Sequence, residues 1–248
     1  MTELRVLGVA GMPEVAEGAE IGAEIATRTD VRDGDVVVVS QKIVSKAEGR
    51  VRRLAAVEPG PEAERLAAEL GKEPALVELI LTESRAVLRA ERGVLIAETE
   101  HGFVCANAGI DTSNLAEAGT VALLPEDPDA SARRIRGEIR AACGAGPAVI
   151  VADSFGRAWR LGQVEVAIGC AGLAPLDDWR GRADAGGREL EATVIAIADE
   201  AAAAADLVRD KASRVPVAIV RGLERHVSAE DGPGAAALRR PPEEDLFR

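Results

Sequence analysis

The chain of 248 residues is poor in aromatic side chains, with three Phe, two Trp and no Tyr. Proteins that hold single-stranded nucleic acid stack its bases on aromatic side chains, so this shortage argues against such a partner. Basic residues are also outnumbered, by 42 Asp and Glu to 30 Lys and Arg, which gives a formal net charge of −12. We therefore expect no nucleic-acid partner, while local Lys and Arg in a cleft could still hold a small anionic ligand.

Cysteine and histidine are scarce as well. The three cysteines, Cys105, Cys143 and Cys170, lie far apart without a CxxC pair, which predicts buried free thiols in a reducing compartment. Only two histidines occur, which argues against a histidine-ligated metal and against a Ser-His-Asp triad. No apolar run approaches the roughly 18 residues of a membrane span, and the amino terminus does not read as a signal peptide. We expect a cytoplasmic protein with no membrane partner.

Two common nucleotide-binding loops are missing. The sequence contains no GxxxxGKS or GxxxxGKT loop, and no GxGxxG follows a strand, so a bound nucleotide would be held in another way. Hydrophobic residues make up 47% of the chain, enough for a substantial core built of Ala, Val, Leu and Ile.

Short strands and helices are indicated along most of the chain. The patterns predict strands near residues 4–9, 36–39, 86–88, 94–98, 103–106, 121–124, 148–151, 164–171 and 215–220, and helices over 19–29, 61–70, 74–84, 129–143 and 189–207. Turns at 91–93 and 100–102 between short strands are typical of antiparallel hairpins. The expected class is therefore α+β with mixed sheets. We expect the tail after residue 227 to be flexible, because it is rich in Gly, Pro and charge.

One polar stretch follows the apolar strand predicted at 148–151. Asp153 and Ser154 come first, and their oxygens suit Mg²⁺ or Mn²⁺, while Arg157 and Arg160 follow with side chains shaped to bind phosphate or carboxylate. Strand ends are common ligand sites in open α/β sheets. The alternative is that Asp153 caps a turn, the arginines are solvated and Trp159 only packs.

Two further polar segments follow apolar ones, at residues 40–46 and 107–114. Asp111 in the second could pair with Asp153, because two carboxylates from separate strands can hold one or two divalent cations between the oxygens of a polyphosphate. Lys46 and Arg157 could supply further positive charge. The alternative for Asp111 is that it caps a turn with Ser113 and Asn114.

Five segments, in this order and spacing, are similar to those of a known family. They are Gly11-Met12-Pro13-Glu14, Ser40 to Gly49 (SQKIVSKAEG), Gly109 to Asn114 (GIDTSN), Asp153 to Gln163 (DSFGRAWRLGQ) and Val215 to Gly222 (VPVAIVRG). From about Leu4 to Val227 the chain resembles the coenzyme F420-0:gamma-glutamyl ligase family. Any one segment would be a weak signal, whereas five together are specific.

The resemblance implies an activity. Members join L-glutamate to the lactyl carboxylate of F420-0 and extend the tail by γ-linkage, using GTP with Mn²⁺ or Mg²⁺ and releasing GDP and phosphate. An acyl phosphate is the implied intermediate, and K⁺ is a further candidate cofactor. Alternatives are a related ligase with another acceptor or amino acid, and a nucleotide-binding module without turnover. The number of glutamates added and the choice between Mn²⁺ and Mg²⁺ stay open.

The resemblance also implies site residues. The implied GTP contacts are Gly11, Met12, Pro13, Glu14, Ser40, Gln41, Lys46 and Asn114. The implied metal ligands are Asp111, Asp153 and Ser154, and the implied catalytic residues are Asp153, Arg157 and Lys46. An alternative role for Arg157, or for Arg160, is to hold the substrate glutamate. Residues 209–216 fall where the family has further contacts, but here Arg209-Asp210-Lys211 replaces a more Gly- and Gln-like sequence.

For the fold, the resemblance implies largely antiparallel sheets with outer helices and two intertwined lobes in a homodimer. Residues 1–227 would form the ligase domain, and residues 228–248 a flexible tail. That tail resembles the linker to a second, flavin-binding domain in some relatives, which could be fused or separate.

Overall fold

A five-stranded sheet forms the centre of the protein, whose computed structural model describes residues 3–113, 115, 117–209 and 213–246. Its strands are β1 (Arg5–Gly8), β2 (Val36–Ser40), β8 (Ala148–Arg157), β9 (Arg160–Ala171) and β12 (Val217–Arg221). They lie in the order β1-β12-β2-β8-β9, and only the β2–β8 pair is parallel. Because β2 and β8 run in the same direction, their carboxyl ends meet at one edge of the sheet.

Helices cover both faces of this sheet. Helices α1 (Ile21–Arg28), α2 (Gln41–Ala47) and α5 (Pro128–Cys143) pack on one face, and α6 (Ile197–Asp206) packs on the other. Along β2 and β8, alternate Val, Ile and Ala side chains point to the two faces, which is why the strands are continuous apolar runs.

A second, smaller core lies between α3 (Pro61–Leu70), α4 (Pro74–Thr82) and a three-stranded antiparallel sheet. The strands of that sheet are β4 (Ser84–Glu91), β5 (Val94–Thr99) and β6 (Val104–Ala106). A two-stranded ladder of β3 (Val51–Arg53) and β7 (Thr120–Ala122) adjoins it. The expected α+β class with mixed, largely antiparallel sheets is confirmed, and the two cores form two lobes between which the chain passes twice.

Several local predictions were wrong. The predicted helix over 189–207 begins only at Ile197, because Val194–Ile195 (β11) pairs with Asp177–Asp178 (β10). Val194 and Ile195 are β-branched, which favours the extended conformation of β11. For the helix predicted over 129–143 the sequence favours Asp129 or Ser131 as the N-terminal cap, whereas α5 is capped by Asp127, whose carboxylate accepts from the Ala130 amide. Cys143 at the end of α5 is exposed, whereas Cys105 and Cys170 are buried as expected.

The segment after Val227 makes several hydrogen bonds to the rest of the protein. The Asp129 carboxylate accepts from the Ala235 amide at 2.7 Å, and Arg136 donates to the Asp231 carboxylate at 2.7 Å. Arg239 donates to the carbonyl oxygen of His101. Ala235 is fully buried. Within the described part of the chain, no helix is long and apolar enough to cross a membrane.

Candidate active site

The predicted site segments meet at one edge of the central sheet. Residues 11–14 follow the end of β1, Ser40 ends β2, and Asp153 lies one residue beyond Ala152, the last partner of β2 in β8. The amide of Ser40 donates to the carbonyl oxygen of Pro216 at 2.8 Å, which brings the residues before β12 to the same edge. Strand order and direction therefore gather segments that are far apart in sequence.

Helix α2 begins directly after Ser40. The side-chain amide of Gln41 is buried and donates to the Leu123 carbonyl oxygen at 3.0 Å and to the Ser45 hydroxyl at 2.6 Å. Gln41 therefore anchors α2 to the residues after β7. Its predicted contact with GTP stays a prediction.

Lys42 and Lys46 lie four residues apart on α2 and therefore share one side of the helix. The Lys46 ammonium pairs with the Glu14 carboxylate at 2.5 Å, which joins two of the predicted nucleotide segments. The Glu14 side chain is 71% exposed, while that of Lys46 is 13% exposed. The lysine is thus held at the site while its carboxylate partner is free to turn toward solvent.

Residues 11–13 directly precede Glu14, the partner of Lys46. Gly11 has a φ of +75°, which favours glycine, and its carbonyl oxygen accepts from Arg28 at 2.7 Å. The Met12 side chain packs on the core beneath the sheet, and Pro13 is exposed. Gly11 has no side chain, and no atom lies within 4 Å of the position that a Cβ would take, so the backbone there borders open space.

Asp111 is held by two neighbours. Its carboxylate lies 2.8 Å from the Lys42 ammonium and accepts from the Ser113 amide at 2.7 Å. Burial raises the pKa of Asp111, but the bonds from Lys42 and Ser113 outweigh that effect and hold it below its usual value. Asp111 is therefore an anion at neutral pH. The predicted turn with Ser113 exists, so that alternative and the metal role are compatible.

The sequence predicted that Asp153 lies in a loop after the strand, but in the structure it lies within β8. The strand continues through Arg157 because residues 153–157 pair with β9 beyond the end of β2. Burial raises the pKa of the Cys105 thiol to about 12, and the nearby Asp153 carboxylate adds to the effect. Cys105 is therefore a neutral thiol beside Asp153.

Ser154 points to the opposite face of the strand from Asp153, because successive residues of a strand alternate. Its hydroxyl donates to the Glu165 carboxylate at 3.1 Å, directly across the β8–β9 ladder. Glu165 in turn pairs with Arg209 at 2.8 Å. Asp153 instead lies on the face that carries α2, as do Val151 and Phe155.

Arg157 lies at the exposed tip of the β8–β9 hairpin. Its guanidinium donates to the carbonyl oxygens of Leu161 at 2.5 Å and Gly162 at 3.5 Å, so it folds back on its own turn. Its catalytic role stays a prediction. Asn114 and residues 210–212 lie outside the described residues.

The chemistry of these donors fits a divalent cation. Carboxylate and hydroxyl oxygens are the hard ligands that Mg²⁺ and Mn²⁺ accept. Among the described residues, no group of three or more His, Cys, Asp or Glu side chains could hold a metal ion. Mg²⁺ commonly takes one or two carboxylates and fills its remaining positions with phosphate oxygens and water. Asp111 and Asp153 supply carboxylates of this kind, and the described residues contain no all-protein cage.

Comparison with known proteins places this site in a family. Residues 10–222 match the family model described as F420-0:Gamma-glutamyl ligase. The chain belongs to the F420-0:gamma-glutamyl ligase family. The match covers every described candidate site residue.

Curated relatives resemble the chain over its whole length. The Coenzyme F420:L-glutamate ligase of Methanothermobacter thermautotrophicus is 45% identical over 99% of both chains. The protein of the same name from Methanopyrus kandleri is 42% identical over 99% of this chain and 98% of its own. That from Haloarcula marismortui is 44% identical over 99% of this chain and 96% of its own. The family resemblance stated from the five sequence segments is thereby confirmed.

Lys42 and Arg209 lie in segments that the sequence marked as candidates but had no role of their own there, and Glu165 was not predicted as a candidate at all. The spacing of Lys42 from Lys46 was a usable signal, since residues four apart share a helix face. Glu165 and Arg209 gave no such signal, because they meet only through the sheet.

Proposed function

We propose that this chain catalyses the GTP-dependent addition of L-glutamate to coenzyme F420-0 and the γ-linked extension of that tail. The observation that carries the proposal comes from a member of the ligase family. The Lys42–Asp111 and Lys46–Glu14 ion pairs both involve the helix that follows Ser40, and Ser40 pairs with Ala152, next to Asp153, at one edge of the sheet. Carboxylates and amines at the same edge of a sheet suit a polyphosphate with its metal ion. The names of the relatives supply the acceptor and the amino acid.

The reaction we propose has two steps. A carboxylate oxygen of F420-0 attacks the γ-phosphorus of GTP, the bond to the β-phosphate oxygen breaks, and GDP leaves with an acyl phosphate remaining. The amine of glutamate then attacks the acyl carbon, phosphate leaves with the electron pair of the C–O bond, and the amine loses a proton. Phosphorylation is needed because a free carboxylate is a poor electrophile.

The chain's own residues would hold the charges of this reaction. Lys46 exchanges the exposed Glu14 carboxylate for phosphate oxygens and so stabilises negative charge during phosphoryl transfer. Asp111, kept anionic by Lys42, and Asp153 would hold Mg²⁺ or Mn²⁺. When bound, that ion neutralises charge on the β- and γ-phosphate oxygens. Gly11 leaves room for the nucleotide to approach the backbone.

Mass spectrometry of F420-0 incubated with the protein, L-glutamate, GTP and Mn²⁺ tests this proposal. The expected result is successive additions of one glutamyl residue, absent without GTP, with GDP and phosphate formed in equal amount. A panel of other amino acids and acceptors is the control for the related-ligase alternative. GTP binding without turnover on any acceptor would contradict the ligase proposal and favour the non-catalytic module.

We also propose that two copies form a homodimer through the β8–β9 hairpin. Trp159 and Leu161 at its tip are 75% and 97% exposed, in a chain that has few aromatic residues. Val94 and Val104 are also exposed, on strands β5 and β6 of the smaller sheet. Large apolar side chains in such positions are characteristic of protein interfaces.

The dimer is tested by replacing Trp159 and Leu161 together with Glu. Two buried charges at an interface are costly, so we expect the variant to run as a monomer in size-exclusion chromatography with light scattering while the parent runs as a dimer. Leu246→Glu is the control, because Leu246 is 86% exposed in the tail. A parent that is monomeric, or a double variant that stays dimeric, would rule out this interface.

A further inference from the structure

Three consecutive residues before Asp111 adopt a left-handed backbone conformation. Asn107, Ala108 and Gly109 have φ angles of +52°, +51° and +71°. They follow β6 directly and end two residues before Asp111, the carboxylate that pairs with Lys42. Within the described part of the chain, this is the one run of three successive residues with positive φ. The reaction outlined above uses none of the three.

Ala108 is the costly residue of this turn. Glycine adopts positive φ freely and asparagine does so with little penalty, whereas in alanine the Cβ lies too close to the following carbonyl oxygen. Positive φ at Arg92 has an ordinary explanation, because Arg92 and Gly93 form the two-residue turn of the β4–β5 hairpin. The turn after β6 leads into a different ladder, since Asp111 pairs with Ala122 of β7. Hairpin geometry therefore does not explain the strain at Ala108.

A second cost lies in the Asn107 side chain. Its Oδ1 is buried and has no hydrogen-bond partner among the described residues. A buried acceptor that has lost water without gaining a donor is destabilising. Strain and an unpartnered polar atom persist in one turn only where the surrounding structure fixes the conformation, and such features are concentrated at functional sites.

The two cores of the protein hold this turn between them. The Ala108 side chain is 1% exposed and belongs to the smaller core, as does Ile110. At Gly109 a Cβ would lie 2.8 Å from Leu124 Cδ1, and Leu124 belongs to the core of the central sheet. The Ala108 methyl group therefore pins the turn on one side, and close packing at Gly109 confines it on the other.

The turn leads from the smaller core to a contact with the larger lobe. The backbone of Asp111 exchanges two hydrogen bonds with β7, at 2.9 and 2.8 Å, but this bridge is a single pair. The Asp111 carboxylate lies 2.8 Å from the ammonium of Lys42 on α2, the helix that packs on the central sheet. The Gly109 amide also hydrogen-bonds to the Cys105 thiol beside Asp153. The direction in which the chain reaches Asp111 therefore depends on the turn.

We propose that Ala108 is a positioning residue of the ligase site, whose buried methyl group keeps residues 107–109 left-handed and so holds the Asp111 carboxylate against Lys42. This inference rests on the proposed function, in which Asp111 is a ligand of the metal ion. Residues that orient metal ligands commonly contribute about 10- to 100-fold to metal affinity or activity. The turn thereby gives Asp111 one orientation before any nucleotide or ion binds.

Two substitutions by glycine test the proposal. Ala108→Gly removes both the strain and the methyl group that pins the turn, so the turn gains alternative conformations without a clash. Asn107→Gly relaxes the backbone at the neighbouring position and also removes the unpartnered oxygen. The matched control is Arg92→Gly, which relieves the same kind of backbone strain in the β4–β5 hairpin, where φ is +52°.

Three readouts separate positioning from a purely structural role. The first is Mn²⁺ affinity in the presence of GTP, measured from the electron paramagnetic resonance signal of free Mn²⁺. The second needs no metal and is the coupling between Lys42 and Asp111 in the free energy of unfolding, from a double-mutant cycle with Lys42→Met and Asp111→Asn. That cycle is measured in the parent and in the Ala108→Gly background. The third is the division of the effect between kcat and the KM for glutamate.

We expect Ala108→Gly to bind Mn²⁺ about 10-fold or more weakly with GTP, with a comparable loss in kcat and little change in the KM for glutamate. Asn107→Gly should change in the same direction, and the coupling of Lys42 with Asp111 should be smaller in the Ala108→Gly background. The thermal midpoints of both variants should stay within about 4 °C of the parent, because relief of strain offsets the lost side-chain contacts. Arg92→Gly should bind Mn²⁺ like the parent.

The outcomes separate the inference from the proposed function. A folded Ala108→Gly variant with Mn²⁺ affinity and kcat within about twofold of the parent would overturn the positioning role and leave the ligase function intact. If Ala108→Gly fails to fold, Asn107→Gly decides, since parent-like Mn²⁺ binding would overturn the inference and weakened binding would support it. An equal loss in Arg92→Gly would assign the effect to general loosening of the smaller lobe and would also overturn it. Parent protein that binds no Mn²⁺ with GTP would overturn the proposed function, and the inference would fall with it.

Discussion

Asp153→Asn is expected to lower ligase turnover by about three orders of magnitude or more while leaving the fold intact. The amide has the shape of the carboxylate but lacks its charge, so it cannot hold a divalent cation against the oxygens of a polyphosphate. Asp153 is the one carboxylate of β8, and the neighbouring Ser154 hydroxyl points to the other face of the strand and cannot replace it. Turnover is measured by mass spectrometry of the glutamylated product at saturating substrates and ordinary metal concentration.

A matched control for this substitution is Asp178→Asn. Asp178 is an exposed carboxylate in β10 that pairs with Arg180 two residues away, so its loss should leave turnover unchanged. Denaturation curves of both variants should match that of the parent within about 1 kcal/mol. An Asp153→Asn variant that turns over at the parent rate at ordinary metal concentration would refute the metal role of Asp153.

The parts of the fold that sequence patterns predicted are those fixed by local chemistry. The run Val36 to Val39 is β-branched, too short for a helix, and fully buried in β2 as expected. Pro61 and Pro74 begin α3 and α4 as their positions predicted. The predicted helix over 189–207 failed where tertiary pairing decided the outcome, since the short strand at Val194 depends on a partner at Asp178.

The candidate site divides in the same way. Asp111 and Asp153 could be chosen because each follows an apolar segment, and the family resemblance supplied their roles. The pairing of Lys42 with Asp111 joins residues 69 positions apart (111 − 42), and that of Glu165 with Arg209 joins residues 44 apart (209 − 165). Such contacts depend on strand order and on which face each side chain takes. Local patterns give the alternation of faces within one strand, but neither the strand order nor which residues of separate elements meet.

The close approach of α5 to β9 is a further feature that only the fold reveals. A Cβ at Gly169 would lie 2.2 Å from the carbonyl oxygen of Pro128, the first residue of α5. The next residue of the helix, Asp129, accepts from the Cys170 amide at 2.8 Å and also holds the Ala235 amide. The end of α5 therefore rests directly on the backbone of β9. The first turn of α5 cannot move away from β9 without breaking these hydrogen bonds.

Gly169→Ala is accordingly expected to destabilise the protein by about 3 kcal/mol, because backbone must move on one side or the other. Chemical denaturation followed by circular dichroism measures the loss. Gly156→Ala is the matched control on the neighbouring strand, since no atom lies within 4 Å of its added Cβ, and it should change stability by less than about 0.5 kcal/mol. Equal stability of the two variants would mean that α5 does not rest on β9. That result would also argue against the hydrogen bonds that the Cys170 and Ala235 amides donate to Asp129, and so against the contact of the tail with α5.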